Sequence, residues 1–238
     1  MTNQYQTGEY WTRNDTLHEE DSDFKSQNFF TLLKRNSQIN ITGFVDMGCG
    51  AGRIAWNFAE AFPDKKCIGT DLDPNIISYA SSKYKRENLS FQVANEQPAL
   101  TGEYNTVILA DVFEHIEDYM GFLQNIRDKY TYQLFNIPLD LSVRTILTNR
   151  PVQARNMYGH LHFFYDKLAL KTLEDLGFTI VDYLYTDNIS FEGGKQKGLK
   201  RFAYTLKSGI ARFTALIMGK SKASVLFGYS SLTVLCKR

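Results

Sequence analysis

The stretch VDMGCGAGR, residues 45–53, decides the fold of this 238-residue chain. Directly before it, the apolar residues 41–47 predict a buried strand. Directly after it, residues 53–62 carry apolar side chains at helical spacing and predict a helix. Glycines at 48, 50 and 52 allow a tight turn and leave main-chain atoms open to a ligand. A strand, a glycine loop and a helix in this order are typical of a ligand-binding α/β domain.

Outward from this loop, short β-branched runs alternate with helical stretches, which predicts βα units and a parallel sheet. Besides the first strand, we expect strands at residues 66–70, 89–94, 104–110, 132–137, 178–185 and 225–236. We expect further helices at residues 23–34, 74–86, 118–129 and 166–176. The predicted fold is a doubly wound α/β sheet of seven strands, with residues 1–38 as an N-terminal lid and residues 39–238 as one domain.

Two carboxylates next to the first two strands limit the chemical class of ligand that the loop can bind. Asp46 precedes the loop, where it would repel a pyrophosphate but suit an ammonium group, and the spacing G-x-G-x-G departs from the dinucleotide pattern. Asp71 ends the second strand, 19 residues after Gly52, where a carboxylate can accept hydrogen bonds from both ribose hydroxyls. An ammonium group, a ribose and no pyrophosphate together describe S-adenosylmethionine.

VDMGCGAGR followed by GTDLDP, residues 69–74, resembles the first two motifs of class I S-adenosylmethionine-dependent methyltransferases. VANE at 93–96 and YNTVILADVFEHI at 104–116 resemble that family's segments after strands three and four, so the resemblance covers about residues 42–187. It implies a Rossmann-like, mostly parallel sheet whose last strand is antiparallel. It also implies cofactor contacts from nine residues: Asp46, Gly48, Cys49, Gly50, Gly52, Asp71, Leu72, Asn95 and Asp111.

Histidines are the candidate catalytic residues, because methyl transfer to a hydroxyl needs an aligned nucleophile and a base, and histidine has a suitable pKa. His115 follows strand four, and His160 and His162 follow strand five; packing roles for them stay open. We expect no metal, because the sequence nominates no third ligand beside the pair at 160 and 162. His18, in the N-terminal segment, is a candidate substrate contact.

The connection at residues 138–160 is unusually long, which favours a cap over the site. Arg144, Arg150 and Arg155 recur within it. Guanidinium groups suit a carboxylate or a phosphate, so an anionic acceptor is one interpretation of these arginines. A solvated charged face is the other.

The net charge of +1 conceals a cancellation: residues 1–192 carry 17 basic and 26 acidic side chains, whereas residues 193–238 carry 10 basic and no acidic ones. Apolar residues recur every three or four positions there, so we predict a basic helical insertion at 190–224. Three interpretations stay open. The insertion packs on the sheet, contacts an anionic membrane or lipid-linked substrate through residues 195–222, or completes an anionic acceptor site. Nothing in the sequence supports nucleic-acid binding.

Three scattered cysteines and the lack of an apolar leader or a membrane-spanning run predict a cytoplasmic protein. The predicted function is methyl transfer from S-adenosylmethionine to a small-molecule or glycan-type acceptor, at oxygen and with a histidine base. The alternatives are N-methylation of an amine or a macromolecule, and a cofactor-binding partner subunit without catalysis. The sequence specifies neither the acceptor nor the oligomeric state.

Overall fold

The computed structural model describes residues 19–94, 102–186, 188, 191, 194–228 and 231–238. Seven strands form one sheet: β1 Gly43–Met47, β2 Lys66–Asp71, β3 Leu89–Val93, β4 Thr106–Ala110, β5 Tyr132–Pro138, β6 Thr179–Tyr185 and β7 Ser231–Lys237. Their order is β3-β2-β1-β4-β5-β7-β6. All pairs are parallel except those of β7, which runs antiparallel to both β5 and β6. The predicted sheet, including its antiparallel last strand, is confirmed.

The described helices are α1 Ser22–Arg35, α2 Arg53–Ala61, α3 Pro74–Lys83, α4 Tyr119–Lys129, α5 Val143–Leu147, α6 Arg150–Tyr158, α7 Asp166–Asp175, α8 Gly198–Met218 and α9 Lys220–Phe227. Local signals in the sequence set several of their starts. Asp73 caps α3 by accepting the N–H of Asn75, and Pro74 occupies the first turn. Asp118 caps α4 by accepting the N–H of Gly121. These caps explain why the predicted and observed helix starts agree.

The first helix belongs to the core. Phe29 and Leu32 of α1 are fully buried and pack in one cluster with Phe44 of β1 and Phe58 of α2. The apolar face of α1 gains more by covering the sheet than by lying over a solvated cleft. Residues 22–35 of the segment predicted as a lid are therefore a core helix, and residues 1–18, with His18, lie outside the described residues.

The structure differs from the sequence prediction in two places after the fifth strand. The last strand begins at Ser231, not at 225, because residues 225–227 complete α9, which ends at Gly228 with φ of +58°. The cap at 138–160 is largely helical, since α5 and α6 lie within it. Ser142 and Thr145 form a reciprocal capping box that starts α5.

The basic insertion contains α8 and α9, and only α9 is anchored. α9 packs on α5 and α7, whereas the only buried residue of the described α8 is Ser208. Phe202, Phe213 and Leu216 of α8 are 68%, 63% and 84% exposed. The interpretation that the insertion packs on the sheet is therefore wrong for α8. Within the described chain, no helix combines the length and apolarity needed to cross a bilayer.

The sheet order places the functional cleft. β1 lies between β2 and β4, so the chain changes its winding direction at this point. In such sheets, the crevice at the carboxyl ends of the two central strands is where ligands bind. The glycine loop after β1 and the segment after β4 border this crevice.

Candidate functional site

The loop after β1 requires its glycines. Gly48, Gly50 and Gly52 have φ of +72°, +51° and +88°. A Cβ atom at position 52 would lie 2.6 Å from the ring of Phe91, and one at position 48 would lie 2.9 Å from Val112. The loop thus combines left-handed backbone with close packing, and only glycine meets both conditions.

Asp71 holds this loop against the end of β2. Its Oδ2 accepts a hydrogen bond from the Gly50 N–H at 3.0 Å, and its Oδ1 accepts one from the Asp73 N–H at 3.2 Å. Burial raises the pKa of Asp71. Leu72, the next residue, is 44% exposed and leaves an apolar surface beside the carboxylate. A carboxylate and an apolar side chain therefore lie together at the edge of the crevice.

Asp46 lies beneath the loop. It is 2% exposed, and its Oδ2 accepts the N–H of Ala55 in the first turn of α2 at 3.0 Å. Burial raises the pKa of Asp46 to about 7. Cys49 is half-buried in the same loop, and burial raises the pKa of its thiol as well. Asp46 thus fastens the strand–loop–helix junction, and its contact with an ammonium group of the cofactor stays a prediction.

Asp111 follows β4 with an uncommon φ of +56°. Its Oδ1 accepts from Asn136 Nδ2 at 2.7 Å, and its Oδ2 pairs with Lys25 Nζ, also at 2.7 Å. Burial alone would raise the pKa of Asp111, but the adjacent Lys25 ammonium outweighs it and lowers that pKa. Both oxygens thus have protein partners, and a cofactor contact by Asp111 stays a prediction. Asn95 lies outside the described residues.

His115 and His160 meet beyond the carboxyl ends of β4 and β5. Their ring centroids are 4.8 Å apart with an interplanar angle of 82°. The carboxylate of Glu114 joins them, and the potential ligand atoms of the three residues lie within 4.8 Å of one another. Glu114 is fully buried, and burial raises its pKa well above the usual range. The sequence predicts no metal because it nominates no third ligand. In the structure, Glu114 is such a third side chain beside the two histidines.

Asp140 and Tyr158 flank His160 within this cluster. Nδ1 of His160, itself 8% exposed, lies 2.9 Å from Oδ2 of Asp140. The Tyr158 ring lies 5.9 Å from the imidazole, and the Arg150 guanidinium lies over that tyrosine, also at 5.9 Å. Arg150 is thereby linked to the cluster. Arg144, on α5, is half-buried, and Arg155, on α6, is exposed.

His162 is held away from the cluster. Its Nε2 lies 2.9 Å from the carbonyl oxygen of Ile116, and its ring lies 4.4 Å from that of Tyr119. These contacts are typical of a histidine that fastens two segments together. The structure groups His160 with His115, whereas the sequence had suggested His162 as its partner.

Four residues of this region escaped the sequence analysis: Lys25, Glu114, Asp140 and Tyr158. Lys25 carries no local signal, because it reaches Asp111 from a helix 86 positions earlier. Asp140 does carry a local signal, because it lies two residues after the end of β5, at the ligand-binding edge of the sheet. Glu114 carries another, as the residue beside His115.

Solved structures share this fold. Magnesium protoporphyrin IX methyltransferase from Synechocystis PCC 6803 aligns over 99% of this chain and 96% of its own, with TM-score 0.59 and 16% identity. The N-methyltransferase NodS from Bradyrhizobium japonicum WM9 aligns over 99% and 98%, with the same TM-score and identity. Residues 45–131 match the model of a methyltransferase domain family. Residues 45–131 are therefore similar to a methyltransferase domain, and the whole chain shares the fold of these two methyltransferases.

Part of the chain also matches a curated protein. Over 95 residues it is 26% identical to the malonyl-[acyl-carrier protein] O-methyltransferase of Acetivibrio thermocellus, a match that covers 40% of this chain. The matched segment spans about a third of that relative's length, 32%. The fold expected from the glycine loop is thus confirmed. The match over residues 45–131 agrees with the expected methyltransferase family.

Proposed function

We propose that the chain transfers a methyl group from S-adenosylmethionine to an oxygen of a small, anionic acceptor in the cytoplasm. One observation carries this proposal. The glycine loop with Asp71 borders one side of the crevice, and the paired imidazoles of His115 and His160 lie beyond the strands on its other side. A cofactor on the first side faces proton-accepting groups on the second.

The cofactor half is supported by the chemistry of the loop. The main chain of residues 48–52 would contact the methionine part and the ribose, which need close approach to backbone atoms. Asp71 retains acceptor capacity on both carboxylate oxygens for the two ribose hydroxyls. Leu72 would pack against the adenine, which explains an exposed apolar side chain at this position. Asn95 is the proposed acceptor for the adenine amino group.

The second part of the proposal concerns the removal of a proton from the acceptor hydroxyl. As the acceptor oxygen attacks the methyl carbon, the bond from carbon to sulfur breaks and S-adenosylhomocysteine leaves. The hydroxyl must lose its proton in the same step, and we assign that loss to the His115–His160 cluster. Asp140 orients His160, as a carboxylate does in other histidine-dependent sites. His162 stays a candidate for acceptor positioning through the segment it fastens.

The acceptor proposed here is anionic and amphiphilic. Arg150, linked to His160 through Tyr158, suits a carboxylate or a phosphate. The cap exposes apolar side chains on the same elements, with Ile146 58% and Leu147 81% exposed. The relative from Acetivibrio thermocellus is named for O-methylation of a carrier-bound malonyl group, which fits an acidic acceptor. Because NodS is an N-methyltransferase of the same fold, a nitrogen acceptor is the second candidate.

Peripheral membrane contact through residues 195–222 is proposed alongside this chemistry. α8 combines an exposed apolar face with Lys200, Arg201, Lys207 and Arg212, and residues 193–238 contain no acidic side chain. Such a helix suits an anionic bilayer surface. Docking there would bring the chain close to a lipid-linked acceptor.

Calorimetry with S-adenosylhomocysteine tests the cofactor half. We expect Asp71→Ala to weaken binding at least tenfold, because the loop and the ribose both lose their acceptor. Asp64→Ala, on the exposed loop after α2, is the matched control and should bind normally. Equal affinity of Asp71→Ala and the unmodified chain would refute the proposed site.

Mass spectrometry of a cell extract incubated with the enzyme and deuterated-methyl cofactor identifies the acceptor. His160→Gln should lower the turnover of that acceptor by a factor of 10²–10⁴, the usual range for loss of a proton acceptor, while cofactor affinity is retained. Cofactor binding with no labelled product from any extract would favour the alternative of a non-catalytic partner subunit.

A further inference from the structure

We propose that Glu114, His115 and His160 bind a divalent transition-metal cation. The three side chains offer one carboxylate and two imidazoles whose ligand atoms lie within 4.8 Å of one another. Two histidines and one glutamate form a recurrent ligand set of catalytic zinc sites, which keep a further coordination position for water or substrate. The cluster lies beside the crevice proposed for the cofactor, where an acceptor oxygen could occupy the open coordination position.

Glu114 provides the second, independent observation. It is fully buried, and neither carboxylate oxygen has a hydrogen-bond partner within the described part of the chain. A buried carboxyl group without a partner is costly. Its nearby ammonium group, Lys25, is already paired with Asp21 and Asp111 at 2.9 and 2.7 Å. A cation between Glu114 and the histidines would give the buried carboxylate the partner it lacks.

The surroundings of His160 have the form expected around a metal ligand. Metal-bound histidines commonly place their second ring nitrogen against a carboxylate, which fixes the ring orientation. Asp140 Oδ2 lies 2.9 Å from Nδ1 of His160 without hydrogen-bond geometry, and we assign Nε2 as the coordinating nitrogen. Asp140 is therefore a positioning residue in this proposal.

The main chain fastens together the two segments that carry the ligands. The carbonyl oxygen of Glu114 accepts the N–H groups of Leu161 and His162 at 2.8 and 3.1 Å. The turn at residues 113–115 and the segment at 160–162 are thereby held in register. A site whose ligands sit on mutually bonded segments needs little rearrangement when a cation binds.

The ligand set selects the kind of cation and suggests its task. Imidazoles favour Zn²⁺, Cu²⁺, Fe²⁺ and Ni²⁺ over Mg²⁺, Ca²⁺ and Mn²⁺, and Co²⁺ serves as a spectroscopic substitute for Zn²⁺. The task rests on the proposed function: a cation at the open position would bind the acceptor oxygen and lower the pKa of its hydroxyl. With the cation bound, the two imidazoles would act as its ligands in place of accepting the proton directly, and the proton would pass to solvent.

Titration of the chelator-treated chain with Co²⁺, followed by its visible d–d absorption, tests the site. We expect one equivalent to bind and Zn²⁺ to displace it. His115→Ala, His160→Ala and Glu114→Gln should each weaken Co²⁺ binding at least tenfold. His162→Ala is the matched control, because that histidine contacts Ile116 outside the cluster, and it should bind Co²⁺ like the unmodified chain.

Failure to bind Co²⁺, or binding that is unchanged in His115→Ala, would overturn the inference. His115 is half-buried, so this variant keeps the test decisive if replacement of the buried Glu114 prevents folding. S-adenosylhomocysteine affinity, measured without metal, separates the two proposals. If the chain does not bind S-adenosylhomocysteine, the proposed function is contradicted, whereas the proposal of a metal site is unaffected. Co²⁺ binding with chelator-resistant methyl transfer would retain the metal site and overturn its task on the acceptor.

Discussion

Single residues in the crevice show how similar side chains acquire different tasks. Asp46 and Asp71 end neighbouring strands, and the sequence assigned both to the cofactor. In the structure, Asp46 is 2% exposed and bonds the first turn of α2, whereas Asp71 bonds the loop from the crevice edge. Both carboxylates stabilise the loop region, but only Asp71 lies at the crevice edge, and this difference in burial is why the proposed ribose contact is assigned to Asp71.

The raised pKa of Asp46 gives a pH-dependent prediction. Its pKa is about 7 in the folded chain and near 3.8 when unfolded, so the folded state holds a proton that the unfolded state has lost. The stability from this proton is complete below pH 4 and is lost as the pH rises through 7. Asp46→Asn removes this titration. Its free energy of unfolding, relative to the unmodified chain, should therefore rise by about 3 kcal/mol between pH 5 and pH 8.

Urea denaturation of both proteins at the two pH values provides the measurement. Asparagine keeps an acceptor oxygen for the Ala55 N–H, so the substitution isolates the charge. Asp64→Asn, on an exposed loop, serves as the control and should track the unmodified chain. A stability difference for Asp46→Asn that is the same at pH 5 and pH 8 would contradict the buried-carboxyl account.

Among the elements, the junction of β1 and α2 depends most on local sequence. The glycines, the strand before them and the helix after them were all predicted, because φ preference and apolar spacing act within a few residues. α1 was predicted as a helix but misplaced as part of a lid. Its position depends on the cluster of Phe29, Phe44 and Phe58, which exists only once the sheet has formed.

Two glycines in different elements allow a matched comparison. Gly52 has φ of +88°, and a Cβ atom there would meet the ring of Phe91 at 2.6 Å. Gly209, within α8, has nothing within 4 Å of an added Cβ. We expect Gly52→Ala to lower the free energy of unfolding by about 2 kcal/mol or more, from the left-handed backbone and the clash. Gly209→Ala should raise it by about 0.5–1 kcal/mol.

Denaturation curves of the two alanine variants check this prediction. Gly52→Ala should also lose affinity for S-adenosylhomocysteine, since the loop main chain must shift to accommodate the methyl group. Gly209→Ala should retain that affinity because an added Cβ at position 209 meets nothing within 4 Å. Equal stability of the two variants would show that the loop conformation is less constrained than its geometry indicates.

At the scale of the whole molecule, the charge is divided between two parts. The acidic residues lie within positions 1–192, and the basic excess lies in the insertion and the last strand. The sequence left three interpretations of the insertion open. The exposed apolar face of α8 removes the first of them for that helix and favours a partner that is both anionic and apolar.

Vesicle cosedimentation tests the membrane interpretation. The chain should bind vesicles that contain phosphatidylglycerol more strongly than pure phosphatidylcholine vesicles, and added salt should weaken the binding because it screens the lysine and arginine charges. The double substitution Phe202→Ser and Phe213→Ser should reduce binding at least tenfold, since each ring contributes about 1.5–3 kcal/mol when buried in the bilayer interface.

Met120→Ser is the matched control for that experiment. Met120 lies on α4 and is 50% exposed. The substitution therefore removes an exposed apolar side chain without changing α8. It should leave vesicle binding unchanged. Binding that ignores both lipid charge and salt would identify α8 as a scaffold element without an anionic partner.

The sequence by itself determined the succession of strands and helices along the chain, the glycine loop, Asp71 and the resemblance to methyltransferases, because these depend on period, φ preference and spacing between near neighbours. It also identified His115 and His160 singly. Only the tertiary structure decided that these two form a pair with Glu114 and Asp140, and that Lys25 engages Asp111. Those contacts join residues that lie far apart in the chain, and the sheet order that brings their strand ends together has no local signature in the sequence.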